Sequence, residues 1–166
     1  MYAVSKQSLC QIAQKYCEIR NLSFAWGRLF YLFGEGEKIS RVVPYAVTGL
    51  LEGRKVICKN ASAVRDYMYV KDAGEAIVKT LLSNAEGIIN IASGKPITMG
   101  ELFWQIGEIC ERQQDIILQD NPTQPQKVVA NVEQLKNKVR FNEYTDLKKA
   151  LDATIQWWRE NKLNNG

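Results

Sequence analysis

Two residues near the start of the chain, Tyr2 and Lys6, have the types and the spacing that proton transfer requires. Residues four apart share one face of a helix, so the phenol and the ammonium group can lie side by side. At a separation of about 4 Å and an effective dielectric constant of about 20, the lysine charge stabilises the phenolate by up to ~4 kcal/mol. The pair therefore predicts an acid/base centre that exchanges a proton with a hydroxyl group.

Two other tyrosine and lysine pairs have the same spacing, so spacing alone does not identify the centre. Tyr67 and Lys71 lie in a strand-like segment, where four residues span about 13 Å and the two side chains stay apart. Tyr144 and Lys148 lie at the start of a C-terminal helix with an ordinary apolar stripe. Only Tyr2 opens a helix that leads into a strand, so the context favours Tyr2.

The composition indicates one compact domain, since 46% of the 166 residues are hydrophobic and 24% are charged. The longest apolar stretch is interrupted by Arg28 and falls short of the ~18 residues that a membrane span requires. We therefore expect no membrane partner and a cytoplasmic location. The net charge of +4 is spread along the chain, which argues against nucleic acid but suits a phosphorylated small molecule.

Histidine is absent from the sequence, which excludes Ser-His-Asp and Cys-His catalysis. The four cysteines form no Cys-x-x-Cys motif, and Cys10 and Cys17 lie seven residues apart on one helix face. That spacing is typical of buried reduced thiols, so neither a disulfide nor a metal site is predicted. Acid/base chemistry must rest on tyrosine, lysine or carboxylate side chains.

Strand and helix patterns alternate along the chain, which indicates the α/β class. The patterns predict helices over Tyr2–Arg20, Arg41–Glu52, Asp72–Leu82, Thr98–Gln113, Asn131–Asn137 and Thr145–Asn161, and strands over Ser23–Leu29, Lys55–Cys58, Arg65–Val70, Gly87–Ala92 and Asp115–Leu118. The third helix should turn Ala73, Ala76, Ile77 and Leu81 inward. A capping box of Thr98 with Glu101 should start the fourth helix. The segment Asp120–Gln126 is predicted to be a loop.

Five short segments resemble, in the same order, those of the nucleotide-sugar epimerases and dehydratases of the extended short-chain dehydrogenase/reductase family. They are Tyr2-Ala-Val-Ser-Lys6, Trp26-Gly-Arg-Leu-Phe-Tyr-Leu-Phe-Gly34, Val43-Pro44, Val64-Arg-Asp-Tyr-Met-Tyr-Val-Lys-Asp-Ala73 and Ile89-Asn-Ile-Ala-Ser-Gly94. The fourth is the most specific, being similar to Arg-Asp-Phe-x-x-Val-x-Asp-Val. The resemblance covers essentially the whole chain. It departs from the family at Tyr31, where an asparagine is usual, and at Glu35, where a proline is usual.

By that resemblance, Tyr2 is the catalytic acid/base, while Lys6 binds the nicotinamide ribose and favours the ionised phenol. The resemblance also implies that Leu29 and Phe30 approach the nicotinamide, so these four residues contact the cofactor. Tyr31 is expected to bind the substrate.

The resemblance further implies that Arg65 binds the substrate pyrophosphate, a role that suits a planar guanidinium able to donate two parallel bonds to phosphate. The alternative for Arg65 is a surface ion pair with Asp66. We interpret Asp72 as a helix N-cap, and Ser93 and Gly94 mainly as a turn after a buried strand.

The fold implied by the resemblance is α/β, the C-terminal part of a Rossmann-type enzyme with its small substrate-binding portion. Residues 1–34 would hold the catalytic helix and strand, and residues 35–166 mainly the substrate-binding portion. The glycine-rich dinucleotide-binding half is expected to be absent, because Gly34 and Gly36 lack a third glycine at position 39, which is Ile39. NAD or NADP would thus serve the parent enzyme, and we expect none on this chain alone.

Two functions remain open from the sequence. The first is a C-terminal fragment of an NAD(P)-dependent nucleotide-sugar epimerase or dehydratase, inactive alone, with an isomerase, lyase or oxidoreductase outcome undecided. The second is a non-catalytic truncated protein that binds a nucleotide sugar or self-associates. In both, the small-molecule partner is a nucleotide-diphosphate sugar. A homo-oligomer formed through residues 1–30 is also expected, because this segment would leave apolar surface and a strand edge uncovered.

Overall fold

The architecture comes from a computed structural model, which describes residues 1–120 and 127–163. Its helices are α1 (Tyr2–Ile19), α2 (Val42–Leu51), α3 (Val70–Leu82), α4 (Met99–Cys110), α5 (Glu133–Asn137) and α6 (Leu147–Leu163), with a 3-10 turn at Gln113–Asp115. Its strands are β1 (Ala25–Leu29), β2 (Tyr31–Phe33), β3 (Val56–Cys58), β4 (Val64–Tyr69), β5 (Gly87–Ile91), β6 (Pro96–Thr98), β7 (Ile116–Leu118) and β8 (Lys127–Val128). The chain is therefore α/β, as the alternating patterns predict.

Strand β4 organises the part of the fold that matters for function, because it pairs with three other strands. Its first half runs antiparallel to β6 and parallel to β8, and its second half runs parallel to β2. In the last pairing Tyr31 lies opposite Tyr67. Two further parallel pairs, β1 with β5 and β3 with β7, complete the described sheets.

The buried side chains form two clusters on different sides of the molecule. The first packs α2, α4 and α6 around β3, and its largest members include Leu50, Leu102, Ile106, Leu151 and Ile155. The second joins α3, β5 and α5 and includes Ala76, Ile89, Ile91, Leu135 and Phe141. The predicted apolar stripe of the C-terminal helix is confirmed, since it lies in the first cluster.

Helix α1 differs from the other long helices because the rest of the chain covers little of it. Cys10 is the buried side chain of α1, whereas Leu9, Ile12, Tyr16 and Ile19 are exposed, Ile12 by 67%. Strand β1 pairs with β5, and none of the described strands runs along its other edge. The apolar face that the sequence predicts for this helix is thus present but uncovered.

Two expectations about α3 are wrong, and both have a packing reason. The buried residues of α3 are Asp72, Ala73, Ala76 and Thr80, so the inward positions of Ala73 and Ala76 are confirmed. Ile77 and Leu81, also predicted to point inward, lie instead on a neighbouring, exposed face. Asp72 does not cap the helix, because α3 already begins at Val70. Instead its carboxylate accepts hydrogen bonds from the backbone N–H and the hydroxyl of Thr145, at 2.9 and 2.7 Å.

Strands β2, β6 and β8 are not predicted by the sequence patterns. Each has two or three residues, too few to show an alternation of apolar and polar positions. The loop predicted at Asp120–Gln126 lies outside the described residues apart from Asp120.

Candidate functional site

A cavity of about 460 Å³ lies between the start of α2, the turn from β3 to β4, strands β2 and β4, and the start of α4. Its lining combines aromatic rings, amides and cations, and includes Tyr31, Tyr45, Lys59, Asn60, Arg65, Tyr67 and Phe103. The sequence-predicted substrate residues Tyr31 and Arg65 therefore meet in one cavity.

Arg65 is held in this cavity by its own strand and by an aromatic ring. The residue is only 8% exposed, and its Nη1 donates a hydrogen bond to the carbonyl of Val64 at 2.9 Å. The guanidinium carbon lies 5.9 Å from the centre of the Tyr31 ring, within the range of a cation–π contact. These contacts orient a guanidinium that can recognise phosphate through its planar fork.

Asp66, the next residue, points to the opposite face of β4 and lies at 0% exposure. Its carboxylate accepts hydrogen bonds from the backbone N–H of Ser93 at 3.0 Å, the Ser93 hydroxyl at 2.6 Å, and the N–H groups of Gly94 and Ala130 at 2.9 and 3.2 Å. The alternative prediction of a surface ion pair between Arg65 and Asp66 is therefore wrong, because successive side chains of a strand point to opposite faces. The turn expected at Ser93 and Gly94 is tied down by this carboxylate.

On the aromatic side of the cavity, the Tyr67 hydroxyl stays neutral. The rings of Tyr31 and Tyr67 lie 5.6 Å apart, as their register across β2 and β4 requires. Burial raises the pKa of Tyr67, and the nearby carboxylate of Glu37 and the Tyr31 phenol raise it further. At neutral pH the Tyr67 hydroxyl can therefore donate a hydrogen bond to an oxygen of a ligand.

Lys71 takes no part in a proton-transfer pair with Tyr67. Its ammonium lies 2.7 Å from Oε1 of Glu35, and the same oxygen accepts a 2.6 Å hydrogen bond from the Tyr69 hydroxyl. Burial acts to raise the pKa of Glu35, but these two hydrogen bonds outweigh burial and lower it. The interpretation that Tyr67 and Lys71 do not cooperate is confirmed.

Tyr2 and Lys6 share one face of the first turns of α1, as the spacing predicts. The Nζ atom of Lys6 lies 5.8 Å from the centre of the Tyr2 ring. Tyr2 is 78% exposed, and neither residue is among the described residues that line the cavity. Helix α1 contacts β1 through the Arg28 guanidinium, which lies 3.4 Å from the Gln7 side-chain oxygen.

Leu29 and Phe30 follow one another at the end of β1. The backbone N–H of Phe30 donates to the carbonyl of Ile91 in β5 at 3.2 Å, so the strand pair fixes its position. Leu29 is exposed, and Phe30 is partly buried against the second core cluster. The four residues expected near a cofactor thus lie on α1 and at the end of β1, and none of them is among the described residues that line the cavity.

The glycines at positions 34 and 36 do not build a phosphate-binding turn. A Cβ atom at Gly34 would clash with the Val70 side chain, so this glycine permits close packing of the loop on α3. Gly36 has φ = 72° and belongs to a turn, and the next helix begins only at Val42. A dinucleotide pyrophosphate would need a helix N-terminus directly after the turn, and this segment offers none.

A second cavity, of about 370 Å³, lies near the starts of α4 and α6 and is lined by Lys95, Gln105 and Tyr144 among others. None of the sequence-predicted site residues lines it. Within residues 1–120 and 127–163 there is also no cluster of three acidic, cysteine or histidine side chains able to hold a metal ion. No helix in those ranges is long and apolar enough to cross a membrane.

Comparison with known proteins identifies the family. The model of the family described as NAD dependent epimerase/dehydratase matches residues 1–92, more than half of the chain. The chain belongs to the NAD-dependent epimerase/dehydratase family. Family membership agrees with the order of the sequence motifs.

One curated relative in this family is the CDP-abequose synthase of Salmonella muenchen. It is 27% identical over 109 residues, which cover 61% of this chain and 36% of the relative. The chain thus spans about one third of the length of that enzyme.

Solved structures of epimerases and dehydratases share the fold. UDP-N-acetylglucosamine 4-epimerase from Methanobrevibacter ruminantium, in complex with UDP-N-acetylmuramic acid, matches with a TM-score of 0.88 and 24% identity over 96% of this chain and 54% of that one. dTDP-glucose 4,6-dehydratase from Bacillus anthracis, in complex with NAD, matches with a TM-score of 0.86 and 25% identity. The match covers 98% of this chain and 53% of that one. The fold is therefore that of Rossmann-type epimerases and dehydratases, over about half of their length.

Sequence reasoning missed one residue that the structure makes important. The sequence offers Asp66 only as an ion partner of Arg65, although strand alternation already separates the two side chains.

Proposed function

We propose that the chain supplies the nucleotide-sugar cavity and the Tyr2–Lys6 acid/base pair of an NAD(P)-dependent nucleotide-sugar epimerase or dehydratase, as the C-terminal portion of that enzyme. The observation that carries the proposal is the position of Arg65, which is almost fully buried and lies on the Tyr31 ring in a cavity large enough for a nucleotide. A planar guanidinium can donate two parallel hydrogen bonds to phosphate oxygens, so a diphosphate is a fitting ligand.

The substrate class is supported by the chemistry of the cavity and by the relatives. Arg65 suits the two phosphates, the neutral Tyr67 hydroxyl can donate to an oxygen, and flat rings suit a nucleoside. The matched relatives are named for CDP, UDP and dTDP compounds. We propose a pyrimidine nucleotide-diphosphate sugar as the substrate.

In the chemical step, Tyr2 removes a proton from a sugar hydroxyl while Lys6 stabilises the phenolate and holds the nicotinamide ribose. A bound nicotinamide would supply the hydride acceptor for the sugar carbon. Leu29 and Phe30 suit the apolar face of the nicotinamide ring, because Leu29 is exposed and Phe30 is fixed by β5. The segment at Gly34 and Gly36 does not suit the dinucleotide pyrophosphate, so we expect this chain alone to bind no NAD and to show no turnover.

We assign the proposed roles to two parts of the chain. Residues 1–34 hold the catalytic helix and its strand, and residues 35–166 hold mainly the substrate cavity. A second candidate function, a non-catalytic nucleotide-sugar binder that self-associates, is favoured by the uncovered apolar face of α1. The two candidates share the cavity and differ in whether Tyr2 acts on the substrate.

Calorimetric titration of the chain with CDP, UDP and NAD tests the proposal. We expect CDP or UDP to bind and NAD not to bind at micromolar concentration. Arg65→Ala should weaken nucleotide binding by ~2 kcal/mol or more, because removing the partner of a desolvated phosphate is costly. Arg54→Ala is the matched control, since Arg54 is an exposed arginine that pairs with Glu52. Equal, small losses in both variants would reduce Arg65 to a structural side chain.

A further inference from the structure

The loop between β2 and α2, residues 34–41, forms part of the wall of the nucleotide-sugar cavity. Ser40 in this loop and Val42 directly after it line that cavity and also a smaller one of about 150 Å³. Because the two cavities share these residues, they adjoin. Glu37 and Arg41 of the loop line the smaller cavity. The position of the loop therefore decides the shape of the space that a ligand can occupy.

Hydrogen bonds within the loop shape it without joining it to the sheet. The N–H of Arg41 donates to the carbonyl of Lys38 at 2.9 Å, and Nε of Arg41 donates to Oε1 of Glu37 at 3.4 Å. The Arg41 side chain is exposed, and ion pairs of exposed side chains contribute little to stability. A loop held by such local contacts alone would be free to move away from the cavity.

Glu35 connects this loop to the junction of β4 and α3. Phe33 ends β2 opposite Tyr69, which ends β4, so the loop leaves the sheet beside Tyr69. Oε1 of Glu35 accepts a 2.6 Å hydrogen bond from the Tyr69 hydroxyl and lies 2.7 Å from Nζ of Lys71. Burial opposes ionisation of Glu35, but these two bonds outweigh it and lower the pKa. The contacts of an ionised carboxylate are stronger than those of a neutral group.

The two donors differ in how firmly the rest of the chain holds them. Tyr69 is 6% exposed and belongs to the first core cluster, so its hydroxyl has a fixed position. Lys71 is exposed and therefore contributes less. Glu35, Tyr69 and Lys71 are not among the described residues that line the nucleotide-sugar cavity or its smaller neighbour. Any effect of Glu35 on a ligand must act through the loop.

We propose that Glu35 is a positioning residue for substrate binding, which holds residues 36–41 in place and so preforms one wall of the nucleotide-sugar cavity. Its carboxylate does this through the Tyr69 hydroxyl and the Lys71 ammonium. A wall already in place raises affinity, because apparent affinity falls with the fraction of molecules in the binding-competent form. The inference rests on the proposed nucleotide-sugar function and adds a residue that acts without touching the ligand.

The test is calorimetric titration with CDP and UDP of the wild-type chain and of Glu35→Gln, which keeps the shape of the side chain and removes its charge. We expect nucleotide binding to weaken about fivefold, because the released loop is less often in the binding-competent position. Glu75→Gln is the matched control and should leave both affinities unchanged. Glu75 lies on α3 and forms an ion pair of the same length, 2.7 Å, with Lys79.

Tyr69→Phe removes the other side of the same hydrogen bond and leaves the loop sequence intact. The variant keeps the aromatic ring in the core, so it should fold, and it should also weaken CDP and UDP binding. In the double variant with Glu35→Gln, the loss of affinity should be smaller than the product of the two single losses, because both remove one contact. Single losses that multiply in the double variant would overturn an action of Glu35 through Tyr69.

Amide hydrogen exchange without nucleotide separates positioning from a general loss of stability. In Glu35→Gln the amides of residues 36–41 should exchange faster, whereas those of α4 and α6 should exchange at wild-type rates. Unchanged nucleotide affinity in Glu35→Gln, an equal loss in Glu75→Gln, or faster exchange throughout the chain would overturn the role of Glu35 while the nucleotide site stands. Failure of the wild type to bind either nucleotide would instead overturn the proposed function and the inference together.

Discussion

At the scale of single residues, neighbouring charges in β4 have different tasks. Arg65 faces the cavity, and Asp66 faces the second core cluster, where it binds three backbone N–H groups and one hydroxyl. One strand therefore presents a cation to the cavity on one face and a structural carboxylate on the other.

The first prediction concerns Asp66. Asp66→Asn should lower the free energy of unfolding by ~2 to 3 kcal/mol, because an amide NH₂ would replace an oxygen that accepts hydrogen bonds from buried N–H groups. Urea denaturation measures the loss, and Asp152→Asn on the exposed side of α6 is the control. An unchanged midpoint for Asp66→Asn would show that the contacts to Ser93 and Ala130 contribute little.

The sequence predicts Arg65 and Tyr31 as cavity residues because short motifs carry that information. It does not predict the partners of Asp66. Ser93 and Ala130 lie far from Asp66 along the chain, and only the pairing of β4 with β6 and β8 brings them near. Local sequence patterns do not indicate contacts between residues that lie so far apart in the chain.

At the scale of elements, the start of α4 is the clearest agreement between sequence and structure. Thr98 Oγ1 accepts from the N–H of Glu101 at 3.1 Å, and Glu101 Oε2 accepts from the N–H of Thr98 at 2.8 Å. The predicted capping box is confirmed, and α4 lines the cavity through Phe103. The hydrogen bonds from Thr98 lower the pKa of Glu101, so its carboxylate is ionised at neutral pH.

The second prediction follows from this cap. Thr98→Ala should lower the free energy of unfolding by about 1 kcal/mol, because the first turn of α4 loses the oxygen that accepts its N–H. The control is Ser8→Ala in the exposed middle of α1, where no cap is lost. Chemical denaturation that gives the same small change for both variants would contradict a stabilising role for the capping box.

Helices are predicted more reliably than strands in this chain because the helices are longer. Each of the predicted helices is present, with ends shifted by a few residues, whereas β2, β6 and β8 are too short to show a period. The prediction that Ile77 and Leu81 of α3 point inward failed for a different reason. Alanines and a threonine make its buried face, so the largest apolar residues of the helix do not indicate the direction of the core.

At the scale of the whole molecule, the face of α1 that carries Leu9, Ile12, Tyr16 and Ile19 is an exposed apolar surface. We propose that it forms a homo-oligomer interface together with β1. Burying ~500 Å² of such surface per chain is worth on the order of 12 kcal/mol before the entropy of association is subtracted.

The third prediction tests that interface by sedimentation. The wild-type chain should form a dimer or larger species, and Ile12→Glu should shift it toward monomer because a charge would be buried at the interface. Gln11→Glu adds the same charge at an exposed position about 100° away around α1, outside the face that carries Ile12, and should leave the species unchanged. A wild-type chain that stays monomeric at tens of micromolar would contradict self-association through residues 1–30.

The most direct test of the central claim is to locate nucleotide binding along the chain. In an amide-resolved NMR titration with CDP or UDP, we expect chemical-shift changes to cluster at Tyr31, in the turn from Asn60 to Ala63, and at Arg65. The amides of α1 should change little, because α1 does not line the cavity. Changes that cluster instead around Lys95, Gln105 and Tyr144, or no changes at saturating nucleotide, would contradict the assignment of this cavity as the nucleotide-sugar site.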